Sequence, residues 1–271
     1  MVPARTYHPS LHRLLLLCCA LSWSAGCQRP HPPAAAVPVV YPRVLRTLPH
    51  DTLAFTQGLL LHEGILYEST GAPQGQQSSL RRIDPATGAV LERIALDTVF
   101  AEGIASIGNT LVQLTWKHEY ALVYTLPGLT PAGTVRYRGE GWGLTSTATT
   151  FIMSNGSDTL TQRNRAFEPV RRLAVRLNGQ PLTNLNELQY ARGVLYANVW
   201  YANSIYVISP ATGEVIQEID CSELVSHERP ASIHHVLNGI AWDRSGDTFY
   251  LTGKNWRTLF EVAIPAPPSG P

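Results

Sequence analysis

A short motif recurs five times along the chain, and it restricts the fold more than any other feature. Each copy has a polar or aromatic residue, usually followed by glycine and then by an aliphatic residue. The five marker residues are Gln57, Glu102, Trp142, Asn186 and Asn238. Their spacings are 45, 40, 44 and 52 residues, and a second short apolar segment follows each. Because strand repeats of roughly 40–50 residues are typical of propeller blades, we predict an all-β, five-bladed β-propeller.

A second repeat indicates hairpin turns inside the blades. Residues 84–88 read Asp-Pro-Ala-Thr-Gly, and residues 209–213 read Ser-Pro-Ala-Thr-Gly. Proline presets φ for a turn and glycine accepts the left-handed conformation, so both segments predict a hairpin. After Asn238 the chain has room for only three strands. We therefore expect residues 38–48 to supply the fourth strand of the last blade, which closes the ring.

The ends of the chain differ from its body in composition. Residues 1–26 combine Arg5 and Arg13 with an apolar run too short to span a bilayer, as signal peptides do. Small residues precede Cys27, which favours lipidation of that cysteine over ordinary cleavage without lipid. We expect export to the cell envelope, as a periplasmic protein or a membrane-anchored lipoprotein. The predicted regions are a signal peptide (1–26), a lipidated cysteine with a Pro/Ala-rich tether (27–38), the propeller (39–264) and a flexible tail (265–271).

Charge and cysteine content argue against several functions. The 21 Lys and Arg residues nearly balance the 20 Asp and Glu residues, so there is no basic surplus for nucleic acid, and membrane contact is expected only through the lipid. Beyond Cys27 the only cysteine is Cys221, so no internal disulfide is expected. The nine histidines lack metal-ligand spacing. We expect a monomer without metal or other cofactor.

The marker residues are expected to converge on one site, because the inner strands of a propeller line a central channel. A second polar set ends the following strands and includes Glu68, Trp116 and Lys254. The alternative is that these groups only line a wet channel. Lysine usage favours a site, since the chain has just two lysines, Lys117 and Lys254, both near tryptophan. Lysine supplies a compact charge with an adjustable pKa.

Nine short segments carry a resemblance to a known family. They are FTQG at 55–58, YESTG at 67–71, FAEGI at 100–104, LTWK at 114–117, GEGWGL at 139–144, LNEL at 185–188, ANVW at 197–200, NGIA at 238–241 and TGK at 252–254. With these segments in this order, the chain from about residue 40 to residue 262 closely resembles the plant- and bacterial-type glutaminyl cyclases. The resemblance implies a five-bladed propeller that converts the N-terminal glutamine of peptides or proteins to pyroglutamate and releases ammonia without a metal.

The resemblance also implies roles for particular residues. Glu102 matches the family's active-site glutamate and is expected to move the proton, while Lys254 and Asn186 are expected to stabilise the oxyanion. Gln57 is expected to hydrogen-bond the substrate. The aromatic residues expected to surround the substrate are Phe55, Phe100, Trp116, Trp142 and Trp200. The alternative function is a non-catalytic propeller that binds peptide N-termini or another ligand at the same face.

Overall fold

The computed structural model describes residues 1–4, 6, 36–73 and 77–268. Residues 1–34 and 35–271 form separate units, and the fold below is that of the second unit. Most of the predicted signal peptide, Cys27 and most of the tether lie outside the described residues, and these assignments stay predictions. Residues 265–268 of the predicted tail have no regular secondary structure. Among the residues described, no helix has the length and apolar character that crossing a bilayer requires.

The described residues of this unit form twenty-three strands and one helix. Two strands precede the first blade: β1 (Val39–Val40) and β2 (Arg43–Pro49). Blade 1 contains β3 (Phe55–His62), β4 (Ile65–Gly71), β5 (Ser78–Ile83) and β6 (Val90–Leu96). Blade 2 contains β7 (Ala101–Ile107), β8 (Thr110–Thr115), β9 (Tyr120–Thr125) and β10 (Thr130–Arg136). Blade 3 contains β11 (Leu144–Ser146), β12 (Phe151–Met153), β13 (Thr159–Arg163) and β14 (Pro169–Ala174).

The second half continues the same pattern with two additions. A small hairpin, β15 (Arg176–Leu177) and β16 (Gln180–Pro181), leads into blade 4. Blade 4 contains β17 (Leu185–Ala191), β18 (Val194–Val199), β19 (Ser204–Ile208) and β20 (Val215–Asp220). The helix α1 (Ser222–Glu228) then leads to blade 5, which contains β21 (Leu237–Asp243), β22 (Thr248–Gly253) and β23 (Thr258–Ala263).

The ring closes with a strand from the start of the domain. β2 pairs antiparallel with β23 and completes blade 5 as its fourth strand, which confirms the predicted closure. The predicted closing segment was too long at its beginning, because Val39 and Val40 do not belong to that strand. They pair in parallel with β20 and add a fifth strand to blade 4. The N-terminal segment thus joins two neighbouring blades, and the prediction of five blades is confirmed.

The apolar core is divided among the five interfaces between neighbouring blades. One buried cluster joins Tyr67 and Leu80 of blade 1 to Ile104 and Leu111 of blade 2, and four similar clusters fill the other interfaces. Each blade is therefore covered on both faces, and its middle strands alternate less between apolar and polar residues than a sheet with one wet face does. With all five interfaces filled by side chains, the inner strands are held close around the axis.

The two Pro-Ala-Thr-Gly segments form the predicted hairpin turns. Gly88 and Gly213 have φ of +77° and +82°, the left-handed region that glycine favours. An arginine from the outer strand of the preceding blade holds each turn: Arg46 donates to the carbonyls of Pro85 and Ala86, each at 3.0 Å. In the same way, Arg171 donates to the Pro210 and Ala211 carbonyls at 2.9 Å. The repeated text therefore marks a repeated contact between blades.

Candidate active site

The marker residues lie at interruptions in the pairing of the inner strands. In blades 1, 2, 4 and 5 the register between the first and second strands shifts at Gln57, Glu102, Asn186 and Asn238, respectively. In blade 3, Trp142 lies just before β11. A bulge of this kind leaves a residue outside the ladder and redirects its side chain. The recurring motif therefore places one redirected side chain per blade near the centre of the ring.

The glycines after the markers allow neighbouring inner strands to approach one another. A Cβ on Gly103 would lie 2.5 Å from the backbone nitrogen of Leu144, and one on Gly143 would lie 2.0 Å from the carbonyl oxygen of Asn186. No side chain fits at such distances without a shift of the backbone. These glycines therefore keep the marker side chains of successive blades within reach of one another.

Blade 4 has a glutamate where the other blades have glycine. The Glu187 side chain is completely buried, and its Oε1 accepts a hydrogen bond of 3.0 Å from the backbone nitrogen of Leu59 in blade 1. Burial raises the pKa of Glu187 well above its ordinary value of 4.5, against the backbone hydrogen bonds that lower it. Because blade 5 separates blades 4 and 1 in the ring, this carboxyl ties together two blades that are not neighbours.

A cavity of about 740 Å³ opens at the end of the ring where the markers lie. Four of its polar residues are buried, and five of its aromatic residues are half-buried. The buried polar residues are Gln57, Glu102, Asn186 and Lys254, and the half-buried aromatic residues are Phe55, Phe100, Trp116, Trp142 and Trp200. Every catalytic or substrate-binding residue expected from the sequence thus lines this one cavity.

Glu102 has few groups that stabilise its charge. Gln57 donates to its Oε1 through Nε2 at 3.0 Å, and the amide oxygen of Gln57 accepts in turn from Asn238 at 3.4 Å. Burial raises the pKa of Glu102 well above 4.5; the Lys254 charge lowers it without compensating, and Glu140 raises it further. A carboxyl with a raised pKa exchanges its proton closer to neutral pH, as general acid–base catalysis requires.

Lys254 is the cation of the cavity, and it is 4% exposed. Its Nζ lies 4.8 Å from the ring centroid of Phe55 and 6.0 Å from that of Trp200, within the range of a cation–π interaction. Burial lowers the pKa of Lys254 from 10.5 to about 8, although the carboxyls of Glu102 and Glu187 oppose the change. The ammonium form therefore persists at neutral pH in the same cavity as a carboxyl whose pKa is raised.

The indole rings are fixed from behind by one carboxylate. Oε2 of Glu140 accepts from the indole nitrogens of Trp116 and Trp142 at 2.8 and 3.0 Å. Trp142 packs edge-on against Trp200, with ring centroids 5.5 Å apart. From the sequence, Glu140 was noted only as part of the GEGWGL segment, with no role of its own. Its role as a common acceptor depends on two indoles that lie 24 and 2 residues away in the chain.

Two residues grouped with the site by their sequence positions lie elsewhere. Lys117 is exposed, with Nζ 3.9 Å from the Trp116 ring centroid and 3.7 Å from Glu140, so only one of the two lysines lines the cavity. Glu68 is buried in a separate network with His50 and Arg81. The residues at the ends of the second strands were expected to share one face of the ring. This expectation is correct for Trp116, Trp200 and Lys254 only.

The part of the cavity wall that follows α1 was not predicted from the sequence. Ser232, His234 and His235 line the cavity, together with Ala72, Pro73 and Asn255. The spacing of 52 residues before Asn238, the longest of the four, was the available signal, because the extra residues form α1 and the loop 229–236. Within the described residues, no three His, Cys, Asp or Glu side chains are grouped so that they could hold a metal ion.

The fold and the cavity together define a class, that of β-propellers with a buried acid–base site enclosed by aromatic rings. The glutamine cyclotransferase family model matches residues 14–264. A glutaminyl-peptide cyclotransferase of Arabidopsis thaliana is 35% identical over 229 residues, covering 82% of this chain and 70% of that protein. The crystal structure of Myxococcus xanthus glutaminyl cyclase has a TM-score of 0.79 and 38% identity, covering 84% of this chain and 97% of that one. The chain belongs to the glutamine cyclotransferase family.

Proposed function

We propose that this protein is a glutaminyl-peptide cyclotransferase, which converts the N-terminal glutamine of peptides or proteins to pyroglutamate and releases ammonia. The observation that carries the proposal is the convergence of Glu102, Lys254 and Asn186 in one cavity with aromatic walls. These side chains come from blades 2, 5 and 4, so their meeting is a product of the whole fold. Family membership and the names of both relatives support the same activity.

The reaction needs a group that takes a proton and returns it. The neutral α-amine of the substrate attacks its own side-chain amide carbon, so one C–N bond forms and closes the five-membered lactam. The other C–N bond then breaks, and its nitrogen leaves as ammonia. Glu102 takes the proton from the attacking amine and gives it to the leaving nitrogen, so no net proton is consumed. A positioned carboxyl of this kind accelerates such steps by about 10²–10⁴-fold.

Negative charge develops on the amide oxygen during the attack, and two groups of the cavity are suited to stabilise it. Lys254 offers an ammonium and Asn186 offers the N–H donors of its carboxamide, and both residues line the cavity. Donors that are fixed before the reaction do not have to reorganise during it. Each is expected to contribute about 3 kcal/mol to transition-state stabilisation.

The aromatic walls supply the remaining part of the catalysis. An extended glutamine must curl before its amine reaches its own amide carbon, and a closely fitting cavity holds the curled form. The indoles of Trp116, Trp142 and Trp200 also keep water away from the reacting atoms. Because Glu140 fixes two of these rings, the walls are formed before the substrate enters.

We also propose that the reaction proceeds without a metal ion. The attacking group belongs to the substrate, so no activated water is needed, and Lys254 and Asn186 take the place of a Lewis acid at the carbonyl oxygen. The residues that line the cavity include no group of carboxylates, histidines and cysteines with the arrangement of metal ligands. This part of the proposal concerns the mechanism and can fail while the activity stands.

The test is to incubate the purified protein with a glutamine-initiated dipeptide and to measure released ammonia, with and without EDTA. We expect ammonia and pyroglutamyl dipeptide in equal amounts, unchanged by the chelator. Loss of activity on chelation, restored by added metal, would overturn only the metal-free mechanism. Binding of the dipeptide without ammonia would overturn the activity and favour the binding propeller.

We further propose export to the cell envelope with a lipid on Cys27 as the mature N-terminus. The charged start, the short apolar run and the small residues before Cys27 support this proposal. Metabolic labelling with a radioactive fatty acid tests it, because label should enter the wild-type protein but not Cys27→Ser. An unlabelled wild-type protein released into the soluble fraction would show ordinary cleavage instead. We also infer a monomer, which light scattering of the purified domain tests.

A further inference from the structure

Tyr201 stands at the edge of the cavity in a backbone conformation that tyrosine rarely adopts. Its φ is +71°, and 49% of the side chain is exposed. A non-glycine residue in the left-handed region is disfavoured and persists only where its surroundings hold it there. Tyr201 follows Trp200 directly, and the two rings stack with centroids 4.5 Å apart and planes 22° apart. The strained residue thus extends a wall of the cavity outward with an exposed aromatic surface.

The loop after α1 holds the outer edge of this ring. Nδ1 of His234 and the hydroxyl of Tyr201 are hydrogen-bonded at 3.2 Å. His234 also lines the cavity, and its neighbour Ile233 is 78% exposed. We define the rim as Tyr201, Ile233 and His234. It is an aromatic and apolar surface continuous with the cavity, built from two chain segments that do not follow one another.

A peptide substrate must cross the mouth of the cavity. Under the proposed function, on which this inference rests, the N-terminal glutamine lies against the buried Glu102, Lys254 and Asn186, at the inner end of the cavity. The peptide continues from its α-carbonyl, so the second residue must lie at the mouth. A planar side chain at that position can stack on the exposed face beside Trp200, whereas glycine offers nothing to stack. Stacked aromatic pairs strengthen binding by about two- to twelvefold beyond the effect of the area they bury.

We propose that Tyr201 and His234 form a subsite for the side chain that follows the N-terminal glutamine, and that this subsite selects aromatic residues there. His234 fixes the Tyr201 ring through its hydroxyl, and Trp200 supports that ring from the cavity side. Specificity of this kind lies outside the reacting atoms. It should therefore change how strongly the peptide binds and leave the chemical step unchanged.

The experiment compares Gln-Phe-amide with Gln-Gly-amide by the initial rate of ammonia release. For the wild-type protein we expect kcat/KM for Gln-Phe-amide to be about five- to tenfold higher, through a lower KM. Tyr201→Ala should bring the ratio close to one, because it should lower kcat/KM for Gln-Phe-amide much more than for Gln-Gly-amide. Tyr201→Phe should keep most of the preference, because it retains the ring. The matched control is Tyr41→Ala, which removes a tyrosine that is 63% exposed and does not line the cavity.

The outcomes separate the subsite from the activity. A wild-type protein that cyclises both peptides equally well would overturn the subsite and leave the proposed function intact. Equal slowing of both peptides by Tyr201→Ala would also overturn it, since that result would mean only that Tyr201 supports Trp200. Ammonia from neither peptide would overturn the proposed function and the subsite with it.

Discussion

Two buried glutamates of this protein have opposite chemical properties. Glu68 on β4 is 0% exposed and Glu102 on β7 is 4% exposed, so both carboxyls are almost fully removed from water. The pKa of Glu68 nevertheless lies below 4.5, whereas the pKa of Glu102 lies well above it. Burial favours the neutral form in both cases. The difference must therefore come from the groups that face each carboxyl.

Glu68 is surrounded by groups that stabilise its charge. Its Oε1 accepts from Nε2 of His50 at 2.9 Å and from the hydroxyl of Thr56 at 2.7 Å, and Arg81 lies 3.6 Å from Oε2. Burial alone would raise the pKa of Glu68, but the charges and hydrogen bonds of these residues outweigh it. The same pairing raises the pKa of His50. This network joins blade 1 to the segment before it and has no open side for a substrate.

Among the described residues, Glu102 accepts a side-chain hydrogen bond from Gln57 alone, and it faces the cavity. The comparison teaches that burial does not distinguish a structural carboxyl from a reactive one in this propeller. What distinguishes them is that Glu68 lies among His50, Thr56 and Arg81, whereas Glu102 has one donor and faces the space that a substrate would enter. Active sites commonly keep groups unsatisfied in this way and lose stability as a result.

The difference between the two sites is tested most directly by replacing each glutamate with glutamine. The largest effect is expected on turnover. Glu102→Gln should lower kcat by about 10³-fold, because the amide cannot exchange the proton. Glu68→Gln should leave kcat of the folded protein within about twofold, since Glu68 does not line the cavity. Initial rates of ammonia release at matched concentrations of folded protein measure both. Near-normal turnover by Glu102→Gln would remove it from the proton-transfer role.

Stability should respond in the opposite direction. Glu68→Gln leaves the buried His50 without its counter-charge and Arg81 with Asp51 alone, which should lower the free energy of unfolding by about 3 kcal/mol. Glu102→Gln removes a carboxyl whose ionisation opposes folding, so its melting temperature should equal or exceed that of the wild type. Thermal melts followed by circular dichroism measure both. A loss of stability in Glu102→Gln as large as that in Glu68→Gln would mean that the two sites do not differ.

The pH dependence of these melts has opposite signs for the two sites. The pKa of Glu68 is lowered in the folded state, so its contribution to stability is present above about pH 4.5 and is lost as the pH falls. The pKa of His50 is raised, so its contribution is present below about pH 6.5 and is lost at higher pH. Glu102 has a raised pKa and destabilises the fold increasingly above pH 4.5. The advantage of Glu102→Gln should therefore grow with pH.

The sequence predicted the ring and the cavity better than it predicted the difference between Glu68 and Glu102. The repeated motif predicts five blades because it marks a bulge near the start of the inner strand in four of them. Resemblance then identified the cavity residues. Glu68 and Glu102 look alike in sequence, since each is a glutamate within a blade strand. Their difference depends on His50, which lies before blade 1, and on Arg81, which lies on β5. No local pattern specifies either contact.

The rim and the indole support were also beyond the reach of local patterns. The longest spacing between markers signalled inserted residues before Asn238, but not that His234 would return to the cavity. The conformation of Tyr201 is set by its packing on Trp200 and by its hydrogen bond to His234. Repeats predict what the blades have in common, whereas the specificity of a propeller depends on the loops in which its blades differ.

The smallest of the expected effects is a change in the pH dependence of kcat/KM when Lys254 is replaced. This change would sharpen the description of the cavity. Burial lowers the pKa of Lys254 to about 8, so its ammonium is lost as the pH rises through that value. The substrate amine, with a pKa of about 8, must lose its proton to attack. The wild-type kcat/KM should therefore rise to near pH 8 and then decline. In Lys254→Arg the alkaline decline should disappear, because guanidinium stays charged, while activity at pH 7 falls about tenfold because a wider group must fit. Lys117→Arg, at the only other lysine, should retain the wild-type profile. An unchanged alkaline decline in Lys254→Arg would show that the group titrating there is not Lys254.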